Sequence, residues 1–187
     1  MKLNLGCGAK ALEGFVNVDK YPGPGIDLVL DLEAIPWPWP EASVDEVRFI
    51  HSLEHMGRDT EVFLGIIREL YRVCADGARI VIHVPHPRSD DYLGDPTHVR
   101  PITPQALTLF DRRKNDEWTA GGISAATPLA RYIGVDFYIE DVANVLSRRY
   151  YEKYASGEMS EAEIDVRALE LNNVISEYHI RLVARKA

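Results

Sequence analysis

The sequence predicts an α/β fold built on an open, mostly parallel sheet whose last strand runs antiparallel. Three observations carry that reading. Short apolar runs ending on glycine or an acid recur early in the chain, one strongly amphipathic stretch follows them, and a late pair of strand-like runs ends in period-two alternation. The 187 residues, 46% hydrophobic and 27% charged, suit one core. No repeat, low-complexity tract or Ser/Gly linker divides them, so residues 1–187 are read as a single domain.

Residues 2–5 form a short strand that runs into Gly6-Cys7-Gly8. Residues 14–19 form a second, ending on Asp19, and residues 26–32 a third, with Asp27 and Asp31 near its ends. Residues 44–50 are the fourth, followed by the polar cluster His51-Ser52-Leu53-Glu54-His55. From 60 to 73, Val62, Phe63, Ile66, Ile67, Leu70 and Val73 recur at helical spacing and place Arg68, Glu69 and Arg72 on the opposite, solvent side. Asp76-Gly77 reads as the stop of that helix, and residues 78–84 as a β-branched strand halted by Pro85 and Pro87.

The connection after it carries Pro85, Pro87, Pro96, Pro101 and Pro104, so residues 85–115 are expected to form a substrate or lid region. Thr103-Pro104 is an N-cap and first helical position for a short helix through Phe110. Residues 137–146 read as a strand. Ser160 to Glu163 matches a capping box opening a helix to about Leu171, inside a helical insertion over 147–173. Val174, Tyr178, Ile180 and Leu182 alternate with Glu177, His179 and Arg181 in a final half-exposed strand. In such sheets ligands sit at the strands' carboxyl ends, where Gly6, Asp19, Asp31, His51 and residues 83–86 fall.

Charge narrows the partners. Twenty-nine acids against 21 bases give a formal charge of −8, which repels phosphate backbones, and the longest basic runs are Arg112-Arg113-Lys114 and Arg148-Arg149. Nucleic acid is therefore not the expected partner. No run approaches the ~18 apolar residues of a membrane span, and Asn4, Gly6 and Gly8 interrupt the N-terminal stretch too early for a secretory signal. Cys7 and Cys74 make no disulfide framework, so a cytoplasmic protein with reduced thiols is expected.

Asn4-Leu5-Gly6-Cys7-Gly8 follows a strand directly, where glycines let the backbone turn and approach a bulky ligand. Residues 6–11 also satisfy the G-x-G-x-x-A form of a nicotinamide-dinucleotide fingerprint. The spacing argues against that cofactor: Asp19 follows Gly8 by 11 residues, too few for the helix that precedes the ribose-binding acid about 20 residues on.

With LNLGCG (3–8), FVNVD (15–19), DLVLDLEAIPWP (27–38), VDEVRFIHSLEHM (44–56), ELYRVCADGARIVIHVPH (69–86) and DPTHVRPITPQAL (95–107), the chain resembles the class I S-adenosylmethionine-dependent methyltransferases. Within them it is similar to the small bacterial and phage members of the methyltransferase type 11 kind. The resemblance covers about the first 60% of the chain and implies a Rossmann-like methyltransferase fold with S-adenosylmethionine as cofactor. It implies that Gly6 and Gly8 admit the methionine part, with Asn4 and Cys7 among the cofactor-binding residues, and that Asp19 takes the ribose hydroxyls. Asp31 would accept from the adenine amino group, the Leu32 N–H would meet a ring nitrogen, and His51 would lie near the transferable methyl. A bidentate carboxylate suits two adjacent hydroxyls, and an exocyclic amine needs an acceptor. Asn4 stands where many relatives carry an acid, and Lys10 where a third glycine often lies.

Methyl transfer needs alignment, water exclusion and, for an oxygen or nitrogen nucleophile, a proton acceptor. His51, His86 and His98 are the candidate bases, with Asp90 and Asp91 behind them, while Arg88, Tyr92, Arg100 and Trp118 are candidates to shape the acceptor pocket. His51 and His55 lack the H-E-x-x-H arrangement, and His83, His86 and His98 match no recognised ligand spacing, so no metal is assigned. The expected activity is methylation of a small-molecule or sugar-like acceptor at oxygen or nitrogen. A cofactor-binding module without turnover is the alternative, ahead of a nicotinamide-dependent oxidoreductase.

Overall fold

A computed structural model describes residues 1–123 and 127–186. Its strands are β1 (Lys2–Leu5), β2 (Val16–Asp19), β3 (Leu28–Val29), β4 (Val44–Ile50), β5 (Cys74–Pro85), β6 (Phe137–Leu146) and β7 (Ile175–Ala184). They join in one seven-stranded sheet of order β3-β2-β1-β4-β5-β7-β6. Every pairing among the first five strands is parallel, and β7 runs antiparallel to both β5 and β6, as the alternation at the chain's end predicts.

Register sorts the sheet into two unlike faces. Val16, Leu3, Val47, Ile80, Leu182 and Ile139 are neighbours across successive strands and form one apolar row on the core side. One residue along each strand, the opposite face presents Asn17, Asn4, Arg48, Val81, Arg181 and Asp141, and the next row is Ile50, His83, His179 and Ala143. Period-two alternation puts most of the charged and polar strand residues on this side, with Val81, Ile50 and Ala143 among them.

The amphipathic stretch is α1 (Thr60–Val73), started by the Asp59 side chain accepting from the Glu61 N–H. It buries Phe63, Ile66, Ile67, Leu70 and Val73. Glu69 departs from the solvent-side expectation, because its carboxylate accepts from the Trp37 backbone N–H at 2.7 Å and pairs with Arg72 at 2.8 Å. Arg72 in turn donates to the Trp37 and Trp39 carbonyls, so α1 clamps the Pro-Trp-Pro-Trp-Pro segment and buries both indoles. The connection from β3 to β4 runs through this segment without a helix.

Two further expectations change. The third strand shrinks to Leu28–Val29, and Asp27 just before it accepts from the Asn17 N–H through its carboxylate. Asp76-Gly77 does not follow a helix end but lies inside β5, where pairing with β4 jumps from Val44↔Cys74 to Glu46↔Arg79 and Gly77 takes φ +74°. That irregularity absorbs the extra residues where helix passes directly into strand.

Between β5 and β6 lie α2 (Asp90–Leu93), α3 (Pro104–Thr108), α4 (Arg112–Ala120) and α5 (Leu129–Ile133). Thr103 caps α3 by accepting from the Ala106 N–H, as its sequence predicts. Helices α4 and α5 escape a periodicity reading: α4 buries only Asn115 and rests on its Asp111 cap, and α5 ends on the left-handed Gly134. The insertion holds α6 (Arg148–Ala155) and α7 (Glu161–Glu170), the latter opened by the capping box of Ser160 and Glu163. Arg88 ties it to the loop after β5 by donating to the carbonyls of Ala168 and Leu169. No helix among the described residues is long and apolar enough to cross a membrane.

Glu69→Ala should lower stability by about 2 kcal/mol, because it strands a buried Trp37 N–H and half of an Arg72 ion pair. Urea unfolding followed by tryptophan fluorescence measures it, with a blue-shifted native spectrum lost as the indoles gain water.

Candidate functional site

The carboxyl ends of β1 to β4 surround a cavity of about 470 Å³, within the roughly 300–1,000 Å³ of small-molecule sites. Gly6, Gly8, Asp19, Asp31, Leu32 and His51 lie on its wall, together with Lys20, Tyr21, Ser52, His55 and Met56, which the sequence did not single out for this role.

The glycine turn is forced from behind. A Cβ on Gly6 would sit 2.5 Å from the Ser52 Cβ, and φ is +67°. Ser52 is held there because its hydroxyl donates to the Leu5 carbonyl at 2.8 Å. Gly8 has φ +51° but open space where its Cβ would be, so its constraint is conformational on one side and leaves room on the other. Its N–H donates to Asp19 Oδ2 at 2.8 Å, while Asp19 Oδ1 accepts from the Tyr21 N–H at 3.0 Å. These two bonds fix the plane of the carboxylate and leave each oxygen a further lone pair.

Asn4 and Cys7 stand behind the wall. Asn4 is buried and donates to the Lys10 carbonyl and to Asn17 Oδ1, both at 2.9 Å. Burial pushes the Cys7 thiol up, with the Asp19 charge adding to it, which disfavours a thiolate. Asp31 pairs with Lys20 at 2.8 Å, and that hydrogen bond holds its carboxyl below the usual range. The Leu32 N–H has no protein partner among the described residues, while its carbonyl accepts from Trp37 Nε1 at 3.0 Å.

His51 has φ +55°, uncommon for a residue with a side chain, and its N–H bonds the His83 carbonyl at 2.9 Å. Its ring lies between the cavity and a cluster on the polar sheet face. There His51 Nε2 is 3.6 Å from the Glu177 carboxylate, Glu177 is 3.0 Å from His179, and His179 stacks on His83 at 3.6 Å between centroids. Burial lowers the His51 pKa, and burial with the neighbouring His179 brings His83 down to about 4. His86 and His98 are not on the cavity wall. His86 is buried and accepts from the Arg88 N–H, with burial lowering its pKa, and His98 packs against His55 at 4.6 Å between ring centroids. Glu54, beside them, is buried and raised by that burial to about 7.

No family model matches this sequence, and no curated protein matches it either. Solved structures do. An S-adenosylmethionine-dependent methyltransferase from Archaeoglobus fulgidus superposes with a TM-score of 0.60 at 20% identity, over 98% of this chain and 85% of that one. The 1,6-didemethyltoxoflavin-N1-methyltransferase of Burkholderia thailandensis, with 1,6-didemethyltoxoflavin and S-adenosylhomocysteine bound, scores 0.54 at 11% identity, over 99% of this chain and 71% of that one. The [4+2]-cyclase SpnF scores 0.53 at 16% identity, over 100% and 75%. At these identities the likeness is one of fold: the chain has the Rossmann-like fold of the S-adenosylmethionine-dependent methyltransferases.

Two outcomes follow from the wall's geometry. Gly6→Ala should cost about 3 kcal/mol, from a buried overlap plus a left-handed backbone, and Gly8→Ala about 1 kcal/mol from the backbone alone, by denaturant unfolding. Because the folded pKa of His83 lies below its unfolded value, its contribution is complete above about pH 6.5 and is lost as pH falls towards 4. Discounted for partial exposure, His83→Asn should relieve about 1–2 kcal/mol of destabilisation at pH 4 and little at pH 8.

Proposed function

We propose that the protein is an S-adenosylmethionine-dependent methyltransferase acting on a small-molecule or sugar-like acceptor at oxygen or nitrogen. One observation carries this. Two carboxylates, Asp19 and Asp31, stand at the ends of neighbouring strands on the wall of a cavity floored by Gly6 and Gly8, with His51 on the same wall.

The donor set fits a nucleoside joined to an amino acid. Asp19 presents an oriented carboxylate to two adjacent hydroxyls. Asp31 is an acceptor for an exocyclic amine and the Leu32 N–H a donor for a ring nitrogen beside it. The open side of Gly8 leaves room for the amino-acid arm. The cofactor supplies a methyl group on a sulfonium that is already a good leaving group. The chain's part is to align an acceptor, exclude water and take a proton. Of the three candidate bases, His51 faces this cavity, whereas His86 and His98 stand off it.

A nicotinamide dinucleotide fits less well, because residues 6–15 contain no helix whose N-terminus could receive a pyrophosphate. Cofactor binding without methyl transfer remains the second reading, favoured by one finding: a protein described as a [4+2]-cyclase has this fold.

In a thermal-shift assay at 100 times Kd, S-adenosylmethionine or its demethylated product should add about 2.7 kcal/mol, roughly 5–10 °C, and NAD none. Asp19→Ala should abolish the shift. A shift with NAD alone, or one that survives Asp19→Ala, overturns the assignment. Mass gain of one methyl on a hydroxylated or amine acceptor separates transfer from binding alone.

A further inference from the structure

We infer that Glu54, His55 and His98 form a binding site for one divalent transition-metal ion, beside the cofactor cavity and not needed by the reading above. One ligand atom from each of the three residues lies within 4.8 Å of the others. Two imidazoles and one carboxylate are a donor set for ions such as Zn²⁺, which leave further positions to water or another oxygen donor.

Glu54 is the first argument. It is 1% exposed, and neither of its carboxylate oxygens has a hydrogen-bond partner among the described residues. Its charged surroundings are His98, which counters its charge, and Glu177 and Asp95, which add to it. A buried carboxylate with no hydrogen-bond donor is costly unless it takes up a proton or a cation meets it. No Lys or Arg does so among the described residues, and the ion-pair contact it has is with an imidazole, His51 Nδ1, 3.9 Å from Glu54 Oε1.

The histidines are the second argument, because their outer hydrogen bonds fix which nitrogen is free. His98 Nδ1 lies 2.8 Å from the Tyr92 carbonyl, which can only accept, so that nitrogen carries the proton. The Thr97 hydroxyl spends its proton on Asp95 Oδ1 at 2.6 Å, and its oxygen accepts from His55 Nδ1 at 2.9 Å. Both rings are thereby set as the tautomer whose Nε2 offers a lone pair, the arrangement that outer-shell acceptors impose on metal-binding histidines.

The backbone brings the two halves together without help from an ion. Glu54 and His55 lie on a single 3-10 turn, Leu53–His55, directly after β4. The Glu54 carbonyl accepts from the N–H groups of Val99 and Arg100 at 3.0 and 3.2 Å, docking the segment that carries His98 onto that turn. Ligand atoms on one ion of this kind stand about 3–3.5 Å apart, closer than the 4.8 Å that bounds these three, so the side chains close in on the ion as it binds. His55 also lines the cofactor cavity, which places the ion at its edge.

The test is calorimetric titration of Zn²⁺, and separately Mn²⁺, into the chelator-stripped 187-residue protein, with Co²⁺ absorption as a direct report of ligand geometry. One equivalent of Zn²⁺ or Mn²⁺ should bind at micromolar affinity or tighter, and Co²⁺ should give visible bands. Glu54→Gln and His98→Ala should each weaken binding at least tenfold, while His86→Ala and His179→Ala bind as the parent does. Circular dichroism of each variant without metal checks folding, and His55→Ala replaces any that fails. No binding of one equivalent, or Glu54→Gln and His98→Ala binding like the parent, overturns the site. So does loss in His179→Ala alone, which would move the ion to the polar sheet face. The titration contains no nucleoside, so its failure leaves the thermal-shift result on S-adenosylmethionine untouched, and the converse holds.

Discussion

The cavity depends on a buried polar knot beneath it. In this chain the connection from β1 to β2 has no helix to give it shape, and two asparagines on neighbouring strands do that work instead. Asn17 Oδ1 accepts from Asn4 Nδ2 and from the Leu12 N–H, and Asn17 Nδ2 donates to the carbonyls of Leu12 and Phe15 and to Asp27. Asp27 also accepts from the Asn17 N–H and gives its own N–H to the Asn17 carbonyl, which joins the start of β3 to the same knot. Buried amides are tolerable only when so fully bonded, and a fully bonded set admits one arrangement. The loop over residues 7–15 therefore has a fixed path, and that path delivers the Gly8 N–H to Asp19.

A second support runs from the far side. Glu69 on α1 holds the Trp37 N–H, and the Trp37 indole holds the Leu32 carbonyl, so the wall that carries Asp31 and Leu32 is fastened to the helix behind the sheet. A carboxylate on the helix and an aromatic in a proline-rich segment thus stand in for the helix that would otherwise join β3 to β4. The two shortened connections share one solution, in which side-chain hydrogen bonds replace the backbone ladder of a helix.

Much of this was legible from patterning. An apolar run marked β4, a strand-like run β6 and period-two alternation β7, helical spacing fixed α1 from Thr60 to Val73, and turn chemistry found the Thr103 and Ser160 caps. Carboxylates and glycines at strand ends marked Gly6, Gly8, Asp19, Asp31 and His51, which share one cavity wall. What stayed hidden depends on residues far apart in sequence. Asn4 reads as a cofactor contact until Asn17 is beside it, Glu69 reads as solvated until Trp37 arrives, and His98 has no ligand spacing to His55 until residues 95–100 dock on the turn after β4. Polar residues inside an apolar run, such as Asn4 and Asn17, were the available signal. The fold alone does not settle a reaction, since a methyltransferase with a bound small molecule and a cyclase both have it.

The Lys20–Asp31 ion pair has a consequence for how the cavity fills. Both side chains are well exposed, 55% and 40%, so the pair is a weak one, worth about 0–1 kcal/mol and sensitive to dissolved salt. Any visitor that needs Asp31 must first win it from an ammonium group already in place. Added electrolyte loosens that incumbent more than it loosens a neutral amine's hydrogen bond. The Asp31 end of the cavity is thus a latch that brine eases open, whereas recognition led by charge attraction weakens in the same medium.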